Sequence, residues 1–589
     1  MSPNRDISLT DHAMLVAWGQ YAHGIGLIEA IEAIPLDQKT VEHSPQRKVL
    51  EFLVAILGGL EYLKDISLSA HPLDKDLAVA HAWGQTSWAD HSGVSRTLTR
   101  LSEAEVQRIA EVLEQVSQPL LDHEVVLALS GGYLELDGDL SPRPVSNTSQ
   151  TYPDASYGHM NDQLRLGYQA AIVSLRSPTY GRIGLSVSHH SGQTLSLSHA
   201  EALALEAERR LGRRPLRRTD LLEKRIGHML PEGARLAQKV AEARQKLAHL
   251  EADRAVVVSQ LKQAQHDFDR QQARYAQQQR PERPTSSLAK ARQQVEVYDR
   301  RLERRQRAVV KAQDWLARPQ ARLAEWETTL HALEERLKRF QADNATNPAP
   351  IQVSFRLDAG FGTADNLALL IEMGYEVYSK PYGNWLSGLL AAKSAETNNW
   401  QKVGKNAEMM AWPAVWLPDF PYPLDLGYER FWTGRACRFS GLVHFGPQPV
   451  TTDLPAWFDD YNARQIIEAG NKEGKQVFEV HHLKVRSRPA LRLQEHLALF
   501  AANFVRFAAH WLAEQCPQLP SGWQNSVCPR VKEQVKVGAH SPARIEWIGQ
   551  DCLLRFEDRS VYAGRSLMIR QQVAIQLALP MKILDFSPI

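Results

Sequence analysis

Apolar residues recur every three to four positions from Leu236 through Val240, Ala243, Leu247, Leu250, Val257, Leu261 and Ala264 to Phe268, interrupted by Arg254. A second run starts at Leu288. It continues through Ala291, Val295, Tyr298, Leu302, Val309, Ala312, Leu316, Leu323, Trp326, Leu330, Leu333 and Leu337 to Phe340, broken by Arg305 and Pro319. A sustained heptad seam with charged flanks predicts a coiled coil. Between the runs lies Arg280-Pro281-Glu282-Arg283-Pro284. Its two prolines each lose a donor and clash with the preceding turn, so no helix continues there. The pattern predicts an antiparallel helical hairpin, with arms of about 45 residues reaching roughly 65–70 Å and a kink at Pro319.

Outside the hairpin the period changes. Tyr133 to Asp139 alternates like a strand and ends in acids; Leu164 to Leu175 and Gly181 to Ser188 read as two more strands before a helix near 198–210. After the hairpin, Ile351 to Asp358 is a fourth strand, again ending in Asp. A helix from Thr363 to Met373 and a short strand from Tyr375 to Ser379 follow. Three strands in a meander followed by crossovers predict an α/β sheet interrupted by the hairpin. Residues 385–460 are rich in Trp, Pro and Gly, with strand-like runs such as Arg435 to Phe445. Leu491 to Leu512 reads as an amphipathic helix. The first ~120 residues are mainly helical by pattern. There Thr86 to Leu113 fits either a helix-turn-helix presenting Ser95, Arg96 and Arg100 or an ordinary bundle.

Charge changes the picture. The 589 residues carry 69 Lys and Arg against 67 Asp and Glu, a net of +2. Residues 201–345 alone hold 31 basic and 21 acidic side chains, leaving the other 444 residues at −8. A basic arm on a mildly acidic body suits a polyanionic partner. The excess concentrates around the tip and the early second arm, including Arg300, Arg301, Arg304 and Arg305. No apolar run reaches the ~18–20 residues of a membrane span, and MSPNRDISLTDHAM lacks the basic-then-apolar order of a signal peptide. Cys437, Cys516, Cys528 and Cys552 form no C-x-x-C pair. The expected location is a reducing cytoplasm.

The candidate chemistry lies in three places. Asp137 and Asp358 end strands, with Asp139 a rival for the first position. Further on, Tyr461, Arg464, Glu468 and Lys475 follow the pattern Y-x(2)-R-x(3)-E-x(6)-K, with Lys472 inside it. Tyr461, Arg464 and Glu468 fall at i, i+3 and i+7, which places them on one face of a single helix. A carboxylate between a phenol and cations suits phosphate chemistry: the acid holds a metal and the cations hold neighbouring phosphates.

This pattern resembles the signature of the YREK group of bacterial insertion-sequence transposases within the DDE superfamily. RLDAGF at 356–361 resembles the group's second-aspartate motif and LELDGD at 134–139 its first. The similarity spans about 1–215 and 350–515; the coiled-coil arm departs from the pattern. The resemblance implies a ribonuclease-H-like core in three parts, 121–212, 346–384 and 461–515. Around them it implies a helical DNA-binding domain at 1–120, the coiled-coil insertion at 213–345, a β-rich insertion at 385–460 and a β-rich region at 516–589. It implies catalytic and metal-binding roles for Asp137, Asp358 and Glu468, holding two Mg²⁺ ions with Mn²⁺ as a substitute. It implies DNA contacts for Arg464, Lys472, Lys475 and Tyr461, the last of which also fits a helix-packing aromatic; apart from the resemblance, the basic excess makes Arg300, Arg301, Arg304 and Arg305 candidates for DNA contact, with dimerisation or a solvated structural arm as the other readings. An aromatic of the β-rich insertion (Trp385, Trp400, Trp412, Trp416 or Trp432) holds a flipped base. The implied activity is cut-and-paste transposition on double-stranded DNA, at terminal inverted repeats and target, by a homodimer on the nucleoid. The alternatives are a catalytically silent DNA-binding protein on the same fold and a coiled-coil scaffold. The His189-His190 pair reads as a strand end more readily than as a metal site.

Overall fold

The computed structural model describes residues 6–40, 42–146, 151–160, 163–196, 199–279, 281–383, 386–418, 420–482, 485–515 and 531–570. The chain forms two compact units, Arg217–Thr346 and the combined Met1–Leu216 and Asn347–Ile589.

The smaller unit is the expected hairpin, with longer arms. Its helices, Thr219–Gln277 and Ser287–Ala345, have 59 residues each, about 88 Å of rise. The first starts well before the heptad run, and both continue through an internal proline, Pro231 and Pro319. Val240, Ala243, Val257 and Ala264 of the first helix and Val309, Ala312, Leu333 and Phe340 of the second are buried. The region before Leu236 is held by packing that a heptad count does not register. A Cβ on Gly233 would sit 2.2 Å from the Trp326 ring, whose indole N–H donates to the Met229 carbonyl at 3.3 Å. At the base, fully buried Arg217 pairs with Asp343 at 2.9 Å and lies over the Phe340 ring. Arg305, the charged residue in the seam, is satisfied across it by Asp253 at 3.2 Å. Arg300 pairs with Glu296 at 3.6 Å, Arg301 lies over the Tyr298 ring, and Arg304 is exposed. Arg280 lies outside the described residues.

The larger unit is mixed α/β. Its strands in chain order are β1 (Asp6–Thr10), β2 (Leu134–Pro144), β3 (Ser156–Met160), β4 (Gln163–Ser177), β5 (Gly181–Ser191), β6 (Val353–Leu357) and β7 (Glu376–Ser379). There follow β8 (Gln401–Gly404), β9 (Ala407–Val415), β10 (Leu424–Thr433), β11 (Ala436–Phe445), β12 (Ala543–Ile548), β13 (Asp551–Phe556) and β14 (Ser566–Ile569). The main sheet runs β4-β2-β6-β7-β11-β10-β9-β8. β5 and β3 lie end to end along the outer edge of β4. β4 is antiparallel to β2 and β5, whereas β2, β6 and β7 are parallel. β6 is buried at every position, as a central parallel strand covered on both faces must be. The meander of the expected β-rich insertion continues this sheet, because β11 pairs with β7 through Val443↔Ser379 and its neighbours.

Helices cover the sheet. Ala200–Leu211 carries the chain out of β5, and Ala364–Glu372, capped by Thr363, crosses from β6 to β7. Arg488–Gln515 packs on β5, where Asn503 grips both backbone groups of Gly184 at 2.9 and 2.8 Å. A Cβ on Gly184 would meet Leu499 at 2.4 Å, so only glycine allows this approach.

The amino-terminal region is helical as expected. Its two candidate DNA-reading helices are His91–Arg100 and Glu103–Ser130, separated by Leu101 and Ser102. Arg96 and Arg100 are exposed, and Ser102 and Glu105 close a capping box that starts the longer helix. β1 joins β12, β13 and β14 in a second, antiparallel sheet with Asp6 opposite Trp547. Two regions that the sequence pattern sets apart therefore share one element. Cys437 is exposed and Cys552 buried; Cys516 and Cys528 lie outside the described residues. Among the described residues, no helix is long and apolar enough to cross a membrane.

Candidate active site

Strand register decides which acids meet. β2 and β6 run parallel with Asp137 opposite Arg356 and Gly138 opposite Leu357. One step further brings Asp139 beside Asp358. Gly138 keeps this crossing tight, because a Cβ there would lie 2.7 Å from Leu357 and 3.1 Å from the Phe355 ring.

Asp137, the first acid expected from the motif position, does not line the cleft. It is 1% exposed, and Arg356 takes both of its oxygens, Nε at 2.7 Å and Nη2 at 2.9 Å. The third guanidinium nitrogen reaches Glu135 and the Asp460 carbonyl. With both oxygens engaged by Arg356, Asp137 is a structural counter-ion. Its rival Asp139 opens instead into a cleft of about 450 Å³, shared with Asp358, Glu468, Arg464, Asn471, Lys472 and Lys475.

Each acid is held locally. Asp358 starts a short 3₁₀ turn and accepts the Gly360 N–H at 2.9 Å. Asp139 accepts from the side-chain amide of Asn471. Glu468 lies in the first turn of the Gln465–Gln476 helix and pairs with Arg464 at its N-cap. Asn471, three residues after Glu468, faces the same cleft. That spacing is the available signal for it, but an Asn carries no charge to attract notice.

The four-residue signature does not lie on one helix. Tyr461 belongs to Leu454–Asn462, and the chain turns at Ala463 and Arg464 before the next helix begins. Tyr461 is buried with Trp457, Met409, Leu442 and Tyr378, and the Lys380 ammonium lies 5.5 Å from its ring centre. Burial holds its phenol well above the ordinary range, against the pull of Arg464. Tyr461 is thus a packing residue beneath Arg464 and does not line the cleft. Arg464, Lys472 and Lys475 do. Burial lowers the Lys475 ammonium below its ordinary value, with the Arg143 charge adding to it.

The carboxylates strain against one another. Burial, reinforced by the charge on Asp358 and opposed by Arg464, pushes Asp139 up to about 6. Asp358 is raised by burial first, while Arg464 and the Gly360 and Phe361 N–H groups counter that rise and Glu468 adds to it. Burial alone would lower Arg464, but Tyr461, Glu468, Asp139 and Asp358 hold it above its ordinary value. Clustered carboxylates of this kind are relieved by cations. The donors are oxygens, and the described residues that line the cleft include no Cys or His. That set fits a hard divalent ion such as Mg²⁺ or Mn²⁺.

Residues far off in sequence fix the Glu468 helix. Arg182 on β5 donates to the Ile466 carbonyl at 2.7 Å and to Glu473 at 3.2 Å, and Arg506 reaches Glu473 at 2.8 Å. The Arg182 guanidinium lies across Gly470, where a Cβ would be 1.9 Å from it.

The extended sheet carries a separate aromatic face. Arg430 lies 4.3 Å from the Trp400 ring centre and 5.6 Å from that of Trp432, and Tyr428 stacks on Phe439 at 5.3 Å. Trp416 is 64% exposed, and Trp412 meets Lys393. Trp385 lies outside the described residues. His189 packs on Tyr168, and His190 pairs with His199 at 3.3 Å. Burial lowers both His189 and His190 to about 4.

No family model matches this chain, and no curated protein matches it either.

Proposed function

We propose that the chain is a metal-dependent DNA transposase of the YREK group, with a ribonuclease-H-like core. One observation carries the reading: Asp139, Asp358 and Glu468 line one cleft together with Arg464, Lys472 and Lys475. The strand order β5-β4-β2-β6-β7, antiparallel then parallel, supports the core assignment. So does the position of the acids, at a central strand pair and on a later helix.

In this reading Asp139, Asp358 and Glu468 hold the divalent ions, and Asp137 holds Arg356. Two Mg²⁺ ions, with Mn²⁺ as a substitute, supply Lewis acidity for in-line displacement at phosphorus when bound. Asn471 orients Asp139, and Arg182 fixes the helix that presents Glu468. Lys472 and Lys475 receive the DNA phosphates on the same helix. Arg464 pairs with Glu468 as an internal cation and lines the same cleft, within reach of a phosphate beside the acids. Trp400, Arg430 and Trp432 form an aromatic-cation ladder on which an unstacked base can rest. The basic arm grips flanking DNA or bridges two protomers at paired ends, with Arg304 the least engaged of Arg300, Arg301, Arg304 and Arg305.

The test uses a supercoiled plasmid carrying the DNA that flanks the chain's own gene. Wild type nicks it in Mg²⁺ and joins the freed 3′ ends to target; Asp139→Asn, Asp358→Asn and Glu468→Gln bind it without cutting. Equal cutting by the acid variants would overturn the site. Binding with no cutting under any divalent ion would favour the silent architectural alternative.

A further inference from the structure

The chain leaves the Gln465–Gln476 helix through Val477, Phe478 and Val480, all buried. The polar residues between and after them, Glu479, His481 and His482, turn to the other side. Glu479 adopts φ 53°, a left-handed conformation unusual for a side chain of its size. Its Oε2 lies 3.5 Å from His481 Nδ1 and 4.0 Å from His482 Nε2. Ligand atoms of these three residues all lie within 4.8 Å of one another. Glu61, from the segment after the Pro45–Leu57 helix, approaches His482 Nε2 at 3.0 Å. The other Glu479 oxygen accepts from Lys536 at 2.6 Å, which orients the carboxylate with Oε2 toward the imidazoles.

We infer that Glu479, His481 and His482, with Glu61 as fourth ligand, form a binding site for a transition-metal dication, Zn²⁺ above all. Bonds of about 2.0–2.1 Å in a tetrahedron put ligand atoms about 3.4 Å apart. The 3.0, 3.5 and 4.0 Å separations bracket that length for three of the six ligand pairs, and Glu61, placed beside His482 alone of the three, swings in to complete the shell. Two imidazole nitrogens and two carboxylates suit Zn²⁺, whereas Mg²⁺ prefers an all-oxygen octahedron. Two carboxylates also neutralise the ion. Lys536 serves as the outer partner that fixes a ligating carboxylate. The site would tether the end of the Glu468 helix to the helical amino-terminal region, so its role is a staple. It is chemically distinct from the acid cleft, and the inference does not rest on the transposase reading.

The experiment takes full-length, tag-free protein stripped with EDTA and titrates it with Zn²⁺ by calorimetry, and with Co²⁺ by visible absorption. Wild type binds one Zn²⁺ equivalent, and Co²⁺ gives the intense d–d bands of a four-coordinate site. Asp139→Asn/Asp358→Asn/Glu468→Gln keeps both signals. His481→Asn/His482→Asn weakens Zn²⁺ binding at least 100-fold, abolishes the Co²⁺ bands and removes the Zn²⁺-dependent rise in Tm. Glu479→Gln is the second variant, read the same way should the histidine pair fail to fold. Undiminished Zn²⁺ binding by a folded variant, or loss of the equivalent in the acid-cleft variant, would overturn the site. So would wild type that takes up no Zn²⁺.

Discussion

Asp137 and Asp139 are two residues apart on one strand, yet their neutralisation should change stability in opposite directions. Asp137→Asn removes the charge that faces Arg356 in a buried bidentate pair. Breaking one side of such a pair costs about 3–5 kcal/mol, because the remaining guanidinium stays buried with less compensation. Glu135 recovers part of that, and burial raises the Asp137 carboxyl in spite of Arg356, which offsets part of the loss; both point to the lower end, and the bidentate geometry sets the sign. Asp139→Asn relieves a carboxyl held near 6 where 3.8 is ordinary. In metal-free buffer at neutral pH, that difference corresponds to about 3 kcal/mol as an upper bound, since each pKa unit is worth about 1.4 kcal/mol. The sign follows from proton binding. A carboxyl with a raised folded pKa contributes most below its unfolded value and loses that contribution as pH rises through about 6. An amide in its place gains stability relative to wild type above that pH and changes little near the unfolded value. Urea denaturation in EDTA at about pH 4.5 and 7.5 measures both, with Mg²⁺-dependent nicking assayed alongside. Asp137→Asn should lower the midpoint at the higher pH, and Asp139→Asn should raise it while abolishing nicking. A destabilised Asp139→Asn beside an unaffected Asp137→Asn would refute the register argument.

Other perturbations test other parts. Glu51 is buried, and burial, with Ala89 N–H opposing and the Asp74 and Asp90 charges adding, pushes it up to about 8 from 4.5. Its folded pKa is raised, so its contribution is full below pH 4.5 and lost as pH rises through about 8; Glu51→Gln should flatten the fall in urea midpoint across that window, worth at most about 5 kcal/mol. Gly470→Ala should dislodge Arg182 from Ile466 and Glu473, costing roughly 2–4 kcal/mol by thermal melting and reducing nicking more than DNA binding. Charge reversal of Arg300, Arg301, Arg304 and Arg305 together should weaken DNA binding at least about 10-fold. It should also shallow the slope of log K against log salt by up to about 3–4, read by fluorescence anisotropy over a salt series; no change in either makes the arm a spacer.

Periodicity carries much of the architecture. The strands at β2, β4, β5, β6 and β7 are where alternation and apolar runs predict them, and the proline-interrupted heptads give the hairpin. What periodicity lacks is register between strands distant in sequence. Asp137 and Asp139 share a face in a period-2 reading, and only the pairing of β2 with β6, 219 residues away at Arg356, separates their roles. The turn at Ala463 and Arg464 is similarly hidden, because i, i+3 and i+7 spacing survives a break that leaves Arg464 as an N-cap. Arg182 and Arg506 are single charges in apolar stretches whose partner, Glu473, is fixed only by folding. The meander joins the main sheet because β7 offers an unpaired edge, a consequence of three-dimensional neighbourhood and not of composition.

The pairing of β1 with β12 gives the chain a long wait during synthesis. Asp6–Thr10 leaves the ribosome well ahead of its partner Ala543–Ile548, which follows more than 500 residues later. At about 5–20 residues per second, β1 spends roughly half a minute to two minutes as an unpaired edge. Ile7 and Leu9 remain exposed even in the finished fold, so the nascent segment is a natural client for ribosome-associated chaperones. A message cut short before the codon for Ala543 yields protein in which Asp6–Thr10 never finds its mate. Such fragments should aggregate or be degraded.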